Sequence, residues 1–239
     1  MQPEPQKPKA FIAPNAHETR GGLLYLLVHV FLLGPLIATL LYIFNLQLTG
    51  AAFNVIYMLT SALVLSLLMR QYLKRSFAHF RERSANLLFI LLIGFAMRIL
   101  LFIPVDLLFR LLLPEFVLTP NTEAVLGLAG QGLLLTAFLV VILAPIAEEL
   151  LFRGVIFAPL RKKSRVLAYA VSTLLFAFLH VHLHLFPGFS PALLLMLLPY
   201  IPAGLALAWV YEKNGSIWAT ILLHSLMNLI ALPFALSLI

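Results

Sequence analysis

The chain has 239 residues, of which 62% are hydrophobic and only 10% charged, with a mean hydropathy of +1.04. Soluble domains run at about 45–50% apolar and about 25% charged, so this composition cannot clothe a water-soluble core and predicts an all-α, polytopic membrane helix bundle. The absence of cysteine excludes disulfide frameworks, thiolate metal sites and a cysteine nucleophile. The net charge of +7 gives no reason to expect a nucleic-acid partner, because basic residues collect in the cytoplasmic loops of membrane proteins, and the partner expected is membrane lipid.

Residues 1–21 carry Pro3, Pro5, Pro8 and Pro14 with little apolar content and read as a flexible cytoplasmic tail. Apolar runs then cover 22–44, 51–69, 86–105, 125–147 with a helical extension to 158, 166–181, 190–210 and 217–238, which predicts about seven transmembrane helices. Between Pro104 and Phe116, Asp106 and Arg110 stand at i, i+4 spacing among leucines, the pattern of an interfacial helix. Every Lys and Arg except Arg98, Arg110 and Arg153 falls in the tail or in the loops after the second, fourth and sixth runs, which places the N-terminus in the cytoplasm and the C-terminus outside.

An ionisable side chain at the bilayer centre costs roughly 2.5–3.5 kcal/mol or more, so each one within a run is a functional candidate. Glu148 and Glu149 lie about 18 Å from the basic loop at Arg161, His180 about 20 Å from that side, and His224 and Asn228 about 10 and 17 Å past Ile217. These depths overlap and suggest one shared cavity reached from the cytoplasmic half. Glu149 and Arg153 share a helix face at i, i+4, Glu148 is turned about 100° away, and His224 and Asn228 form a second i, i+4 stripe. Pro145 cannot donate to the Val141 carbonyl, so a kink or loosened turn is expected just ahead of the acidic pair. His29 reads as an interhelical hydrogen-bonding residue, Arg98 as paired or snorkelling, and His182 and His184 as outer-interface residues.

A desolvated carboxylate with a neighbouring imidazole can activate a water, and a second imidazole with an amide can stabilise an oxyanion. These are the parts for peptide hydrolysis without a covalent nucleophile. A serine route has Ser172 and Ser225 but no G-x-S-x-G element. Two other classes share such residues: a proton-coupled transporter, which would show inverted repeats and broken helices in both halves, and a non-catalytic scaffold or immunity protein.

Residues 148–153 read EELLFR, 176–180 FAFLH and 224–228 HSLMN. In this order they resemble the EExxxR, FxxxH and HxxxN motifs of the CAAX-protease and bacteriocin-processing family of intramembrane endopeptidases, also called the Abi family. The resemblance extends over about residues 120–235 and divides the chain into N-terminal transmembrane helices at 22–117 and a protease-like domain at 118–239. It implies that Glu148 and His180 activate the attacking water, that His224 and Asn228 hold the oxyanion, and that Glu149 and Arg153 form a supporting pair. It also implies a membrane-associated or lipidated peptide or protein substrate and a bacterial plasma-membrane location. No cofactor is expected; the alternative is zinc held by Glu148, His180 and His224, although HExxH is absent.

Overall fold

The computed structural model describes residues 11–114, 118–185 and 192–237, with the side chains at 183–185 and 192–193 left aside. No strand occurs among the described residues. The helices are α1 (Ala16–Phe31), α2 (Leu33–Ile43), α3 (Gly50–Leu68), α4 (Arg70–Glu82), α5 (Leu87–Leu112), α6 (Pro120–Gln131), α7 (Leu133–Arg161), α8 (Arg165–Leu185), α9 (Ile201–Asn214) and α10 (Ile217–Leu236). The expected all-α membrane bundle is therefore observed.

Five of these, α3, α5, α7, α8 and α10, are long and apolar enough to cross a membrane, and α1 with α2, bent by 55°, makes a sixth if the pair is one span. The run at 190–210 differs from expectation. It divides into a turn at Ala192–Leu195, a 3-10 turn at Leu198–Tyr200 and the 14-residue α9, since Pro199 and Pro202 lack the N–H groups that a continuous helix requires. By contrast α5 runs unbroken through Pro104, and Asp106 and Arg110 pair on its last turns at 2.7 Å.

Residues 1–10 lie outside the described residues, but the rest of the expected flexible tail is packed. The Ile12 N–H donates to the Gly215 carbonyl at 3.0 Å, and the Tyr211 hydroxyl donates to the Ile12 carbonyl. Asn15 and Glu18 form a reciprocal capping box at the start of α1. Glu18, 4% exposed, also accepts from the Tyr72 N–H at 2.6 Å and from Arg75 at 3.0 Å. A few specific bonds thus order a segment whose average polarity suggested none.

The basic segments gather at one end. Ser76 on α4 accepts from the Ile217 N–H at 2.9 Å, the Trp218 indole donates to the Leu73 carbonyl, and Arg83 donates to the Lys213 carbonyl. Arg161 and Arg165 both bind Glu212 there. Between the ends, two glycines allow helices to touch: a Cβ at Gly22 would sit 2.2 Å from Val155, and one at Gly94 would sit 2.4 Å from Val210. These contacts seat α1 on α7 and α5 on α9 at the close approach that small residues permit in membranes.

Candidate active site

The site forms around α7, whose regular winding is interrupted twice by wide π turns, at Leu139–Leu143 and at Leu150–Phe157, on either side of the acidic pair. Insertions of this kind often mark functional positions in helices. The loosened turn expected near Pro145 is the first of them. There the Ala144 N–H donates five residues back, to the Leu139 carbonyl. In that register the donor to the Val140 carbonyl would be residue 145, a proline without an N–H. The Asn228 amide on α10 supplies the missing donor, with Nδ2 at 2.7 Å from the Val140 oxygen.

Glu148 and Glu149 are sorted by their angular offset. Glu149 has no exposure and accepts through Oε1 from Arg153 Nη1 at 3.0 Å and from His224 Nδ1 at 2.9 Å. Arg153, also fully buried, donates to the Gly204 carbonyl at 3.1 Å and lies 4.8 Å over the Phe176 ring. Glu148 instead faces open space, with 15% of its side chain exposed. Its Oε2 takes no hydrogen bond from a protein donor and lies 3.8 Å from His180 Nε2 and 3.9 Å from His224 Nε2. Those separations are too long for direct hydrogen bonds.

The imidazole orientations follow from their other nitrogens. His180 Nδ1 lies 2.7 Å from the Phe176 carbonyl and His224 Nδ1 faces the Glu149 carboxylate, both acceptors, so each Nδ1 carries a proton. Each ring therefore turns its Nε2 toward Glu148. The Tyr200 ring lies beside His180, with centroids 4.7 Å apart. A cavity of about 140 Å³ lies against Glu148, His180, His224 and Asn228, roofed by Asn121 and Thr122 of α6. All four proposed catalytic positions thus meet at one cavity, with Glu149 and Arg153 packed behind it.

Access differs from expectation. The cavity is lined by Asn121, Thr122 and Val125 near the start of α6 and by Ala231, Leu232 and Ala235 near the end of α10, the bundle end away from Arg83, Arg161 and Lys213. On the basic side every residue from Glu149 to Ala158 is buried. Depth along a helix measures distance from either end, and the apolar sequence does not say which end is sealed. Tyr200, Asn121 and the Val140 carbonyl were not evident from sequence motifs; the Thr119-Pro120 helix start was the available signal for α6, where Thr119 caps the helix.

Zinc would need Glu148, His180 and His224 as its ligands. The donors are of the right chemical kind, and each imidazole has the outer hydrogen bond common at zinc sites. Tetrahedral ligands about 2.0–2.1 Å from zinc lie about 3.3 Å apart, closer than the observed pairs. Among the described residues no group of three or more His, Asp or Glu is arranged to hold a metal ion. The set as placed does not fit zinc.

The remaining sequence-flagged residues are structural in their contacts. His29 bonds Ser61 at 2.9 Å, Arg98 stacks 4.6 Å from the Phe102 centroid, and His182 Nδ1 lies 2.7 Å from the Leu179 carbonyl. The His184 side chain lies outside the described residues.

Residues 130–230 match the family model described as Type II CAAX prenyl endopeptidase Rce1-like. The resemblance read from the three motifs is borne out. The Rce1-like segment spans α7, α8, α9 and most of α10, and so contains Glu148, His180, His224 and Asn228. Over 88 residues the chain is 36% identical to UPF0177 protein YxdF of Lactococcus lactis subsp. lactis (strain IL1403), covering 37% of this chain and 43% of that protein. Over 109 residues it is 31% identical to "Putative membrane peptidase YdiL" of Bacillus subtilis (strain 168), covering 45% of this chain and 40% of that protein. The chain spans about two-fifths of the length of these curated relatives. No solved structure matches it.

Proposed function

We propose that this integral membrane protein is an intramembrane endopeptidase that hydrolyses a peptide bond of a membrane-associated or lipidated protein or peptide, in a bacterial plasma membrane. The observation that carries this reading is the convergence, among residues of the Rce1-like segment, of Glu148 Oε2 with the two Nε2 atoms beside a cavity. Glu148 Oε2, with an imidazole Nε2 on either side at 3.8 and 3.9 Å, suits a guest that brings protons, and water is the simplest.

A water in this position donates to Glu148 and His180 while its oxygen attacks the carbonyl carbon of the substrate. Glu148 takes the proton, and the carbonyl oxygen becomes an oxyanion. One Asn228 N–H is committed to Val140, and the second is free to donate to that oxygen. His224, held through Nδ1 by the buried Glu149 carboxylate, presents its Nε2 to the same oxygen. Collapse of the intermediate breaks the C–N bond, and the proton held by Glu148 passes to the leaving amine. Glu149 and Arg153 do not touch substrate; they position His224.

The reaction proposed needs no metal. The test uses wild type and Glu148→Gln, each purified in mild detergent and incubated with candidate membrane peptides with and without exhaustive chelation. Cleavage by wild type alone, unchanged by chelator, is the expected result. Equal cleavage by the two proteins would sink the endopeptidase reading, and chelator-sensitive cleavage would sink the metal-free mechanism.

A further inference from the structure

The cations on and beside α4 fall into two sets. Arg75 pairs with the buried Glu18 at 3.0 Å, and Arg83, one residue past the helix, donates to the Lys213 carbonyl at 3.2 Å, so both are engaged within the protein. Arg70, Lys74 and Arg81 are exposed and form no ion pair among the described residues. Water can solvate exposed cations, so their arrangement decides whether they do more.

That arrangement is a single stripe. Residues 70, 74, 77 and 81 stand at i, i+4, i+7 and i+11, which at about 100° per residue puts them within about 60° of one another. The stripe therefore reads Arg70, Lys74, Phe77, Arg81, and the Phe77 ring is itself 48% exposed. Tyr72, Ser76 and His79 lie on the opposite face and are buried. Ser76 accepts from the Ile217 N–H at 2.9 Å, and His79 Nε2 lies 3.2 Å from the Asn214 carbonyl. These contacts fix the roll of α4 and hold the cations outward. Glu82, the one carboxylate in the helix sequence, is turned about 100° from Arg81.

The stripe also has a defined depth. The span α3 has 19 residues, about 28 Å of helix against roughly 30 Å of hydrocarbon, and ends at Leu68, two residues before Arg70. Helix α4 thus begins where the hydrocarbon stops. Two rings mark the same level. Phe77 packs edge-on against Trp218 with centroids 5.7 Å apart, and the Trp218 indole donates to the Leu73 carbonyl, the half-polar seat that tryptophan takes at a membrane surface. The headgroup layer brings phosphate to this level, the counter-charge that the three cations lack.

We infer that the outer face of α4 is a docking surface for anionic phospholipid. Headgroup phosphates sit against Arg70, Lys74 and Arg81, while Phe77 enters the upper acyl chains beside Trp218. Through Ser76 and the Ile217 N–H this surface is joined to the start of α10, two turns before His224. The surface does not depend on the endopeptidase reading, since it lies at the opposite end of the bundle from the mouth of the catalytic cavity.

The chain has two tryptophans, and Trp209→Phe leaves Trp218 as a reporter next to Phe77. The full chain is reconstituted in phosphatidylcholine vesicles, and quenching of Trp218 by phosphatidylglycerol brominated near the headgroup end of its acyl chains is compared with quenching by equally brominated phosphatidylcholine. A basic residue near an anionic headgroup is worth roughly fivefold in affinity, so phosphatidylglycerol should bind beside Trp218 about fivefold more tightly. The preference should disappear in Arg70→Gln/Lys74→Gln/Arg81→Gln. It should also disappear, with no change to the stripe, in about 1 M sodium chloride, where charges are screened within about 3 Å. An indole moved to the opposite end, Leu134→Trp in Trp209→Phe/Trp218→Phe, should report no preference; Leu134 is 86% exposed near the start of α7. A preference that survives the triple substitution or high salt, or that is equal at both indoles, overturns the docking surface. Loss of the preference in sodium phosphate but not in sodium chloride of equal, low ionic strength assigns the cations to free phosphate and overturns the lipid instead.

Discussion

The bond between Asn228 and the Val140 carbonyl has a consequence that can be isolated with two substitutions. Asn228→Ala removes the donor and leaves a partly buried carbonyl without a partner, which costs about 1–3 kcal/mol, roughly a 5- to 150-fold change in the folded ratio. The carbonyl needs Asn228 because position 145 is proline. Pro145→Ala restores an N–H in the register in which Ala144 already bonds Leu139. In the Pro145→Ala background, Asn228→Ala should therefore cost at least about 1 kcal/mol less than in wild type, a coupling within the range for residues sharing one network. The assay is unfolding of the four proteins of the cycle in mixed detergent micelles. Peptidase activity, measured in parallel, separates two roles for one side chain: the double variant regains stability but not activity, because the amide aimed at the oxyanion is still missing. Additive stability effects would refute the proposed register, and recovered activity would refute the oxyanion role.

Glu149→Gln leaves the Arg153 guanidinium buried without the carboxylate it is paired to and should destabilise the fold by about 3–5 kcal/mol, while adding Arg153→Met should return most of that loss; thermal unfolding in detergent checks both, and additivity would refute the pairing. Thiols introduced as Thr122→Cys and Lys162→Cys lie at opposite ends of the bundle, so a membrane-impermeant maleimide applied to intact cells should label only one of them. If both label from one side, the assignment of the cavity to the end away from the basic loops fails. At the basic end, burial alone would raise the Glu212 carboxyl pKa, but hydrogen bonds from Arg161, Tyr169 and Arg165 outweigh it and hold the group below the usual carboxylate range. Its stabilisation is present above the unfolded carboxylate pKa and is lost as pH falls through the lower folded value. Glu212→Gln should therefore cost about 1 kcal/mol at pH 7, and melting curves should converge with wild type only in strong acid.

Much of this was legible in the chain because charge is scarce. In a sequence of leucines and phenylalanines, Glu148, His180, His224 and Asn228 stand out one by one, and their helical spacing places them at matching depths. The five long spans were equally legible. What sequence left hidden depended on partners distant in the chain. Phe11–Asn15 looked like tail because their order comes from Tyr211 and Gly215, about 200 residues away. The run at 190–210 looked like a span because composition outweighs two prolines in any window average, although those prolines decide where α9 begins. A second cavity beside Glu148, lined in part by Val30, Gly34, Phe53 and Met58, was invisible, since these are ordinary lipid-compatible residues until α1–α3 are set against α7.

The two adjacent glutamates show where a motif stops being informative. EExxxR gives both carboxylates the same status, and the 100° between them gives each a different set of neighbours. Glu149 is turned into protein, where Arg153, Gly204 and Phe176 surround the pair and leave no exposure. A carboxylate neutralised there can orient His224 but has no route to water. Glu148 keeps an oxygen without a protein donor, an opening and two imidazole Nε2 atoms beside it. The same turn of helix thus separates the carboxylate packed into protein from the one proposed to react. The wide turn ahead of the pair has a part in this: it leaves the Val140 carbonyl to the Asn228 amide, and without that bond α10 would lose a tether that sets His224 and Asn228 against Glu148.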